Sequence, residues 1–489
     1  MKKTKLFLTI TALTLAVLLL LSGCGKESNS SSGGAKAGQS ANYASLSLDT
    51  SDMFTERDLE TGYDESTATK ITLSDTEPNA EITQAGTYII TGSATDGSIT
   101  VTASDDDKVQ LVLNGVTLTS KTSAALYVKS ADKVFLTTAK GTNNILSNGG
   151  AFDASGDDNI DGAIFSKSDI VFNGEGTLTV KCSAAHGIVG KDDVKFTSGE
   201  YVIECEGHGV DANDSIRITN ATLKITSGKD GLHSDNDEDA SKGYVYIESG
   251  TLNINSDDDA VHAVTTLQIA DGTLNIKAAE GLEATVVIID GGTISIEASD
   301  DGINAAKKFS GITPTVIING GSIKIVMGQG DTDGIDSNGN IEINGGTVDI
   351  TGNSSFDYDG TGIINGGTVT VNGKEITELS NQMAGGAPGG MRGGDKQSGM
   401  RGAAPDGNSD AITSATPDEN NPFPGKPDSD GSGLSEGQLP EAPGFKGGEN
   451  GERPQKPDSD GGTESAKKAK PPRSDSNGES EKTNPGKST

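Results

Sequence analysis

Asp331, Asp333 and Glu342 stand at relative positions 1, 3 and 12 of a calcium loop, in the stretch GQGDTDGIDSNGNIEINGGTVDI. An EF-hand needs an oxygen ligand at position 5 and glycine at position 6, where this chain has Ile335 and Asp336, so the loop is not one. The same residue types recur upstream. Just before a recurring small residue come Asp161, His186, His208, Asp230, Asp259, Glu280, Asp301 and Asp333. Two positions after it come Asp211, His233, His262, Glu283, Asn304 and Asp336, and all four histidines of the chain fall in these two series. Further acids crowd them: Asp257 and Asp258 beside Asp259, Asp300 beside Asp301, and Asp235 and Asp237 with Glu238 and Asp239 in an insertion.

The small residues are Gly162, Gly187, Gly209, Gly231, Ala260, Gly281, Gly302 and Gly334, and the five steps from Gly187 to Gly302 average 23 residues. Each unit reads as strand, strand, glycine turn, strand. Alternation along the strands points Ile170/Phe172, Val194/Phe196, Ile216/Ile218, Val245/Ile247, Leu267/Ile269, Val287/Ile289, Val316/Ile318 and Ile341/Ile343 inward. A strand repeat of this length predicts an all-β, right-handed, single-stranded parallel β-helix, with coils stacked about 4.8 Å apart. A propeller needs longer blades, and a leucine-rich repeat needs its Asn/Cys ladder. Gly334 is then a coil corner, and Ile335 points inward.

Stacking turns both series into columns on one edge. Carboxylates one coil apart repel, which raises their pKa or recruits a cation. Calcium accepts 6 to 8 oxygens in loose geometry, so the edge is expected to bind Ca2+ through Asp230, Asp235, Asp237, Asp257, Asp258, Asp259, Glu280, Asp300, Asp301, Asp331, Asp333 and Asp336. A solvated acidic edge is the plain alternative, and a zinc site through His186 and His208, one coil apart, is geometrically open. Asp211, Arg217, His233, Tyr246, His262, Glu283 and Asn304 are candidate ligand contacts. Cys182 and Cys205, 23 residues apart, should stack within disulfide range, paired or free, with packing as their role. The column of turn threonines at Thr251, Thr273, Thr293, Thr347 and Thr368 is read as turn hydrogen bonding rather than an ice-binding row.

The start, MKKTKLFLTITALTLAVLLLLSGCGKE, has a basic opening, a short apolar run and small residues before Cys24. That describes an export signal over residues 1–23 and resembles a lipoprotein lipobox, which implies diacylglycerol on Cys24 and anchoring to the outer face of the cell membrane rather than spanning it. Residues 24–70 are expected to be a flexible linker, 71–371 the β-helix, and 372–489 a disordered tail rich in Gly, Pro, Ser and Asp. With 71 acidic against 38 basic residues and a formal charge of -33, nucleic acid is excluded as a partner. A monomer is expected.

The phrases QAGTYIITGSATDGSITVTASDDDKVQLVLNGVTLTS and ADKVFLTTAKGTNNIL, within Gln84 to Leu146, resemble a clostridial carbohydrate-binding β-helix family of cellulolytic bacteria whose members are similar to calcium-dependent pectate lyases. The resemblance runs from about Ile71 to Val371 and implies binding of acidic sugar and cellulose, with calcium in the coils. It carries no catalytic assignment. The absence of Trp and the few outward aromatics suit a polyuronate bridged by calcium better than a neutral glycan gripped by aromatic faces. The rival readings are a uronate lyase, whose base would be sought first at Arg217 and then at Lys229, and a structural surface stalk or adhesin.

Overall fold

The computed structural model describes residues 46–153, 159–329 and 332–381. Within them, 34 strands join a single continuous sheet. Successive coils pair in parallel, and the exceptions are the closing strand Lys374–Ile376, antiparallel to Thr368–Val371, and an isolated bridge between Ser74 and Glu77. The protein is a parallel β-helix. A representative coil holds Val210–Ala212, Ser215–Ile218 and Thr222–Ser227, each paired in register with its counterpart in the next coil, Leu232–Ser234, Tyr244–Ile247 and Thr251–Ser256. The only helix among the described residues is the short Glu56–Leu59, too short to cross a membrane.

Alternation explains the core. Ile170, Val194, Ile216, Val245, Leu267, Val287, Val316 and Ile341 stack as one inward column, and the second member of each pair stacks beside it, all with 0% exposure. Each such side chain contributes roughly 1.5–3 kcal/mol through burial. Phe172 and Phe196 stack at 4.7 Å between centroids, with Tyr201 edge-on to both.

Corner glycines follow from close approach. A Cβ on Gly281 would sit 2.3 Å from the carbonyl oxygen of Gly302 and 2.6 Å from Ile296 Cγ2. Ala260 houses one methyl at the equivalent corner, so valine is the stricter substitution: Gly281→Val is expected to lower stability by about 1–3 kcal/mol, measured by denaturant unfolding, through overpacking against the next coil.

Cys182 and Cys205 are register partners one coil apart, and both thiols are free. Burial pushes the Cys205 thiol up to about 12 and raises that of Cys182 as well, so both are poor nucleophiles and their role is packing.

Residues 46–70 differ from the linker expected there. From Leu46 to Tyr63 the chain lies along the outer face of one sheet, over the column Gln110, Phe135, Val171, Lys195, Arg217, Tyr246, Gln268, Ile288 and Ile317. Leu46 packs on Val286, Ile288 and Ile317; Met53 and Phe54 on Tyr244 and Tyr246; Tyr63 on Ile89 and Val112. At its middle Thr55 caps the helix in a reciprocal capping box, and Asp58, with 0% exposure, lies 3.2 Å from both Lys133 Nζ and Lys195 Nζ. This strap satisfies an outer face that would otherwise expose a row of apolar side chains. Cys24, the signal region and the tail from residue 382 lie outside the described residues.

Candidate metal-binding edge

Corner geometry builds the first column. The backbone N–H of Gly187, Gly209, Gly231, Ala260, Gly281 and Gly302 donates to the carbonyl of His208, Asp230, Asp259, Glu280, Asp301 and Asp333 respectively, at 2.8–3.0 Å. Strand register builds the second: Asp211, His233, His262, Glu283, Asn304, Asp336 and then Asp357 are consecutive partners. Upstream the same column continues as Tyr127, Phe165 and Val189, which pack together with Ala124 as a buried apolar patch. The edge therefore changes from apolar to imidazole to carboxylate along the stack.

The imidazoles form a ladder. His186 and His208 stack at 4.9 Å and 2°, His208 and His233 at 4.3 Å and 10°, and His233 and His262 are tilted at 5.0 Å. Four groups bring ligand atoms within 4.8 Å of one another: His208/Asp230/His233, Asp211/His233/Asp235, Asp230/Asp259/His262 and Asp259/Glu280/Glu283. Burial disfavours the charged His262 ring, but its Nδ1 lies 2.8 Å from both Asp259 and Glu283, and these contacts push it up to about 10.

The carboxylates divide into two kinds. Asp230 is buried and Asp211 half-buried, which opposes ionisation, yet the neighbouring histidines hold them below the usual range. Farther along the edge, burial and like charges win. Glu280 is pushed up to about 8 by burial and by Glu283, Asp301 to about 6 by burial with Asp300 and Asp333 nearby, and Asp336 to about 7 by burial and by Asp301, Asp357 and Asp333. Asp259 is raised by burial and by its Glu283 neighbour. A divalent cation relieves this cost.

The calcium expectation is tested by donor chemistry. Asn304 donates through Nδ2 to Glu280 Oε2 at 2.9 Å and to Glu283 Oε1 at 3.5 Å, and its Oδ1 is buried with no hydrogen-bond partner. Asp259, Glu280 and Glu283, whose oxygens lie within 4.8 Å of one another, are a set of hard donors that fits calcium.

Not every candidate joins the site. Asp237, Asp257, Asp258 and Asp300 are exposed and belong to none of the four groups, so their part is limited to the surrounding field. Asp331 lies outside the described residues. Arg217 and Tyr246 require correction as ligand contacts. Both point out of the coil as alternation demands, but the strap covers them: Tyr246 is 4% exposed beneath Met53 and Phe54, and Arg217 donates to Met53 O at 3.3 Å and Asp193 Oδ2 at 2.7 Å. Lys229 stays exposed.

Three features escaped the sequence reading. Lys308 enters from the insertion after Ala305 and places Nζ 2.8 Å from Glu283 Oε1, as a built-in competitor for cations. Asp192 is pushed up to about 7 by burial and by Asp214, away from the edge. A shallow groove of about 370 Å³ on the adjoining face is lined by Lys224, Asn253, Asn255, Asn275, Lys277 and Glu297. The outward positions of TLKI, TLNIN and TLNIK carried the signal for that groove.

A family profile described as "Carbohydrate-binding domain-containing protein" matches residues 76–334, more than half of the chain. A protein of the same description from Acetivibrio thermocellus is 35% identical over 134 residues, which are 27% of this chain and 47% of that protein, so this chain matches about half the length of that relative. A solved structure titled as the polysaccharide lyase-like protein from C. thermocellum, a gadolinium derivative, is 30% identical, with coverage of 46% of this chain and 92% of that one and a TM-score of 0.41. The profile spans the coils from Thr76 to Gly334, including most of the acid and histidine edge, and this chain belongs to the carbohydrate-binding domain-containing protein family.

Proposed function

We propose that the protein is a calcium-dependent binding protein for acidic polysaccharide of the polygalacturonate kind, held on the outer face of the cell membrane by lipid on Cys24. The observation that supports this most is the cluster of Asp259, Glu280 and Glu283, whose oxygens lie within 4.8 Å of one another and of which two are raised by burial and by neighbouring like charge. Calcium held there would leave coordination positions for sugar carboxylates, and without it a chain of charge -33 repels a polyanion. The groove of asparagines and lysines beside the edge offers hydrogen bonds to hydroxyls of a glycan lying along the coils. Tyr246 is buried and offers no platform for a neutral glycan, which supports polyuronate over cellulose as the ligand.

Affinity electrophoresis in gels containing polygalacturonate tests the reading. Retardation that chelator abolishes and added calcium restores is the expected outcome; equal mobility with and without polysaccharide would overturn it. The same samples separate the lyase reading, because elimination yields unsaturated uronate absorbance. That reading has lost its first candidate base, since Arg217 is engaged by Asp193 and the strap.

A further inference from the structure

An all-oxygen calcium site has no use for imidazole, yet every histidine of the chain stands on this edge. We propose that His208 Nδ1, the Asp230 carboxylate and His233 Nε2 form a second metal site, selective for zinc or another d-block divalent ion, at the imidazole end of the edge.

The geometry resembles what such ions require. Asp230 Oδ2 lies 3.2 Å from His208 Nδ1 and 3.8 Å from His233 Nε2. His208 Nδ1 is buried, faces the Asp230 carboxylate at 3.2 Å and makes no hydrogen bond of regular geometry. A buried nitrogen and a buried carboxylate that face each other in this way can share a cation. The supporting contacts follow the rule that a ligating imidazole donates its other N–H to a carboxylate. His233 Nδ1 lies 2.6 Å from Asp211 Oδ1, which leaves Nε2 free to ligate. Asp230 Oδ1 accepts from the backbone N–H of Asp259 at 3.1 Å, which directs Oδ2 to the site. The His208 ring is clamped between His186 and His233. Asp230 is 4% exposed, so the donor set is built into the fold and not draped over its surface.

Two nitrogens and one carboxylate, with a position left for water, suit a four-coordinate zinc-class ion bound at about 2.0–2.2 Å. Calcium, which collects six or more hard oxygens, is served by the carboxylate end instead. The edge thus sorts ions by donor type along its length.

Equilibrium dialysis of the full chain against zinc, in buffer holding excess calcium, reads this directly. One zinc ion per chain is expected to remain bound. Cobalt in its place is expected to give the visible absorption of a four-coordinate, nitrogen-ligated ion in the unaltered protein. His208→Ala and His233→Ala should each remove that binding. Asp211→Asn, which leaves all three donors in place, should weaken it on the order of 10–100-fold. Asp301→Asn should leave it unchanged. Zinc displaced by calcium, or retained equally by the His208→Ala/His233→Ala double variant, or cobalt without that absorption, would overturn the proposal. The probe is the metal alone, so this result and calcium-dependent polygalacturonate binding can each fail without the other.

Discussion

Asp58→Ala is expected to destabilise the protein by about 3–5 kcal/mol in denaturant unfolding, because removing one partner of a buried ion pair leaves the others uncompensated. Asp58 has 0% exposure and faces Lys133 and Lys195, of which Lys195 is 3% exposed. The loss also frees Thr55 from its capping box, while the backbone carbonyl of Asp58 still accepts from Thr197 Oγ1 at 2.7 Å. An unchanged unfolding midpoint would show that the strap contributes little. The acid dependence has a defined sign. Burial raises the Asp58 carboxyl, but the Thr55 N–H and the two lysines outweigh it and hold it below its ordinary 3.8. A depressed acid contributes stability that is complete above its unfolded value and lost as pH falls through its folded one. The strap should therefore release in strong acid and not near neutrality, as read by amide exchange of residues 46–63.

The carboxylate end should respond in the opposite direction. Asp301→Asn with Asp336→Asn is expected to raise the thermal midpoint in chelator at about pH 8, to change it little at about pH 3, and to lessen both the calcium-induced rise and polygalacturonate retardation. Asp301 is pushed up to about 6 and Asp336 to about 7 from an ordinary 3.8. Between those values the native state holds more protons than the unfolded chain, so stability falls as pH climbs from about 4 to about 7 and is level beyond. Asparagine removes the repulsion and with it the charge that calcium needs. A double variant less stable than the unaltered protein in chelator at about pH 8 would contradict the account, since the carboxylates would then be stabilising as they stand.

Much of this was legible because a β-helix converts spacing into position. Inward pairs such as Val287/Ile289 and the order His233, His262, Glu283, Asn304, Asp336 along one column follow from alternation and a repeat near 23 residues, and the structure places them so. Ile335 is buried with 0% exposure, which is why the apparent EF-hand fails. The strap was not legible from its own residues, since 46–63 carries no repeat and reads as linker. Its trace lies elsewhere, in Phe135, Val171, Ile288 and Ile317, apolar at outward positions that a solvated face would make polar. Tyr246 and Arg217 were misplaced for the same reason: alternation tells which way a side chain leaves the coil, not what lies on top of it. Lys308 comes from an insertion, where the repeat gives no register, and only the packed structure brings it to Glu283.

The central claim is that stacked coils gather distant acids on one edge so that they share divalent ions. A crystal grown with calcium, its ions located by anomalous scattering, measures this most directly. The account predicts calcium among Asp259, Glu280 and Glu283, with a further ion near Asp301, Asp333 and Asp336. Crystals saturated with calcium whose edge holds water alone would contradict it.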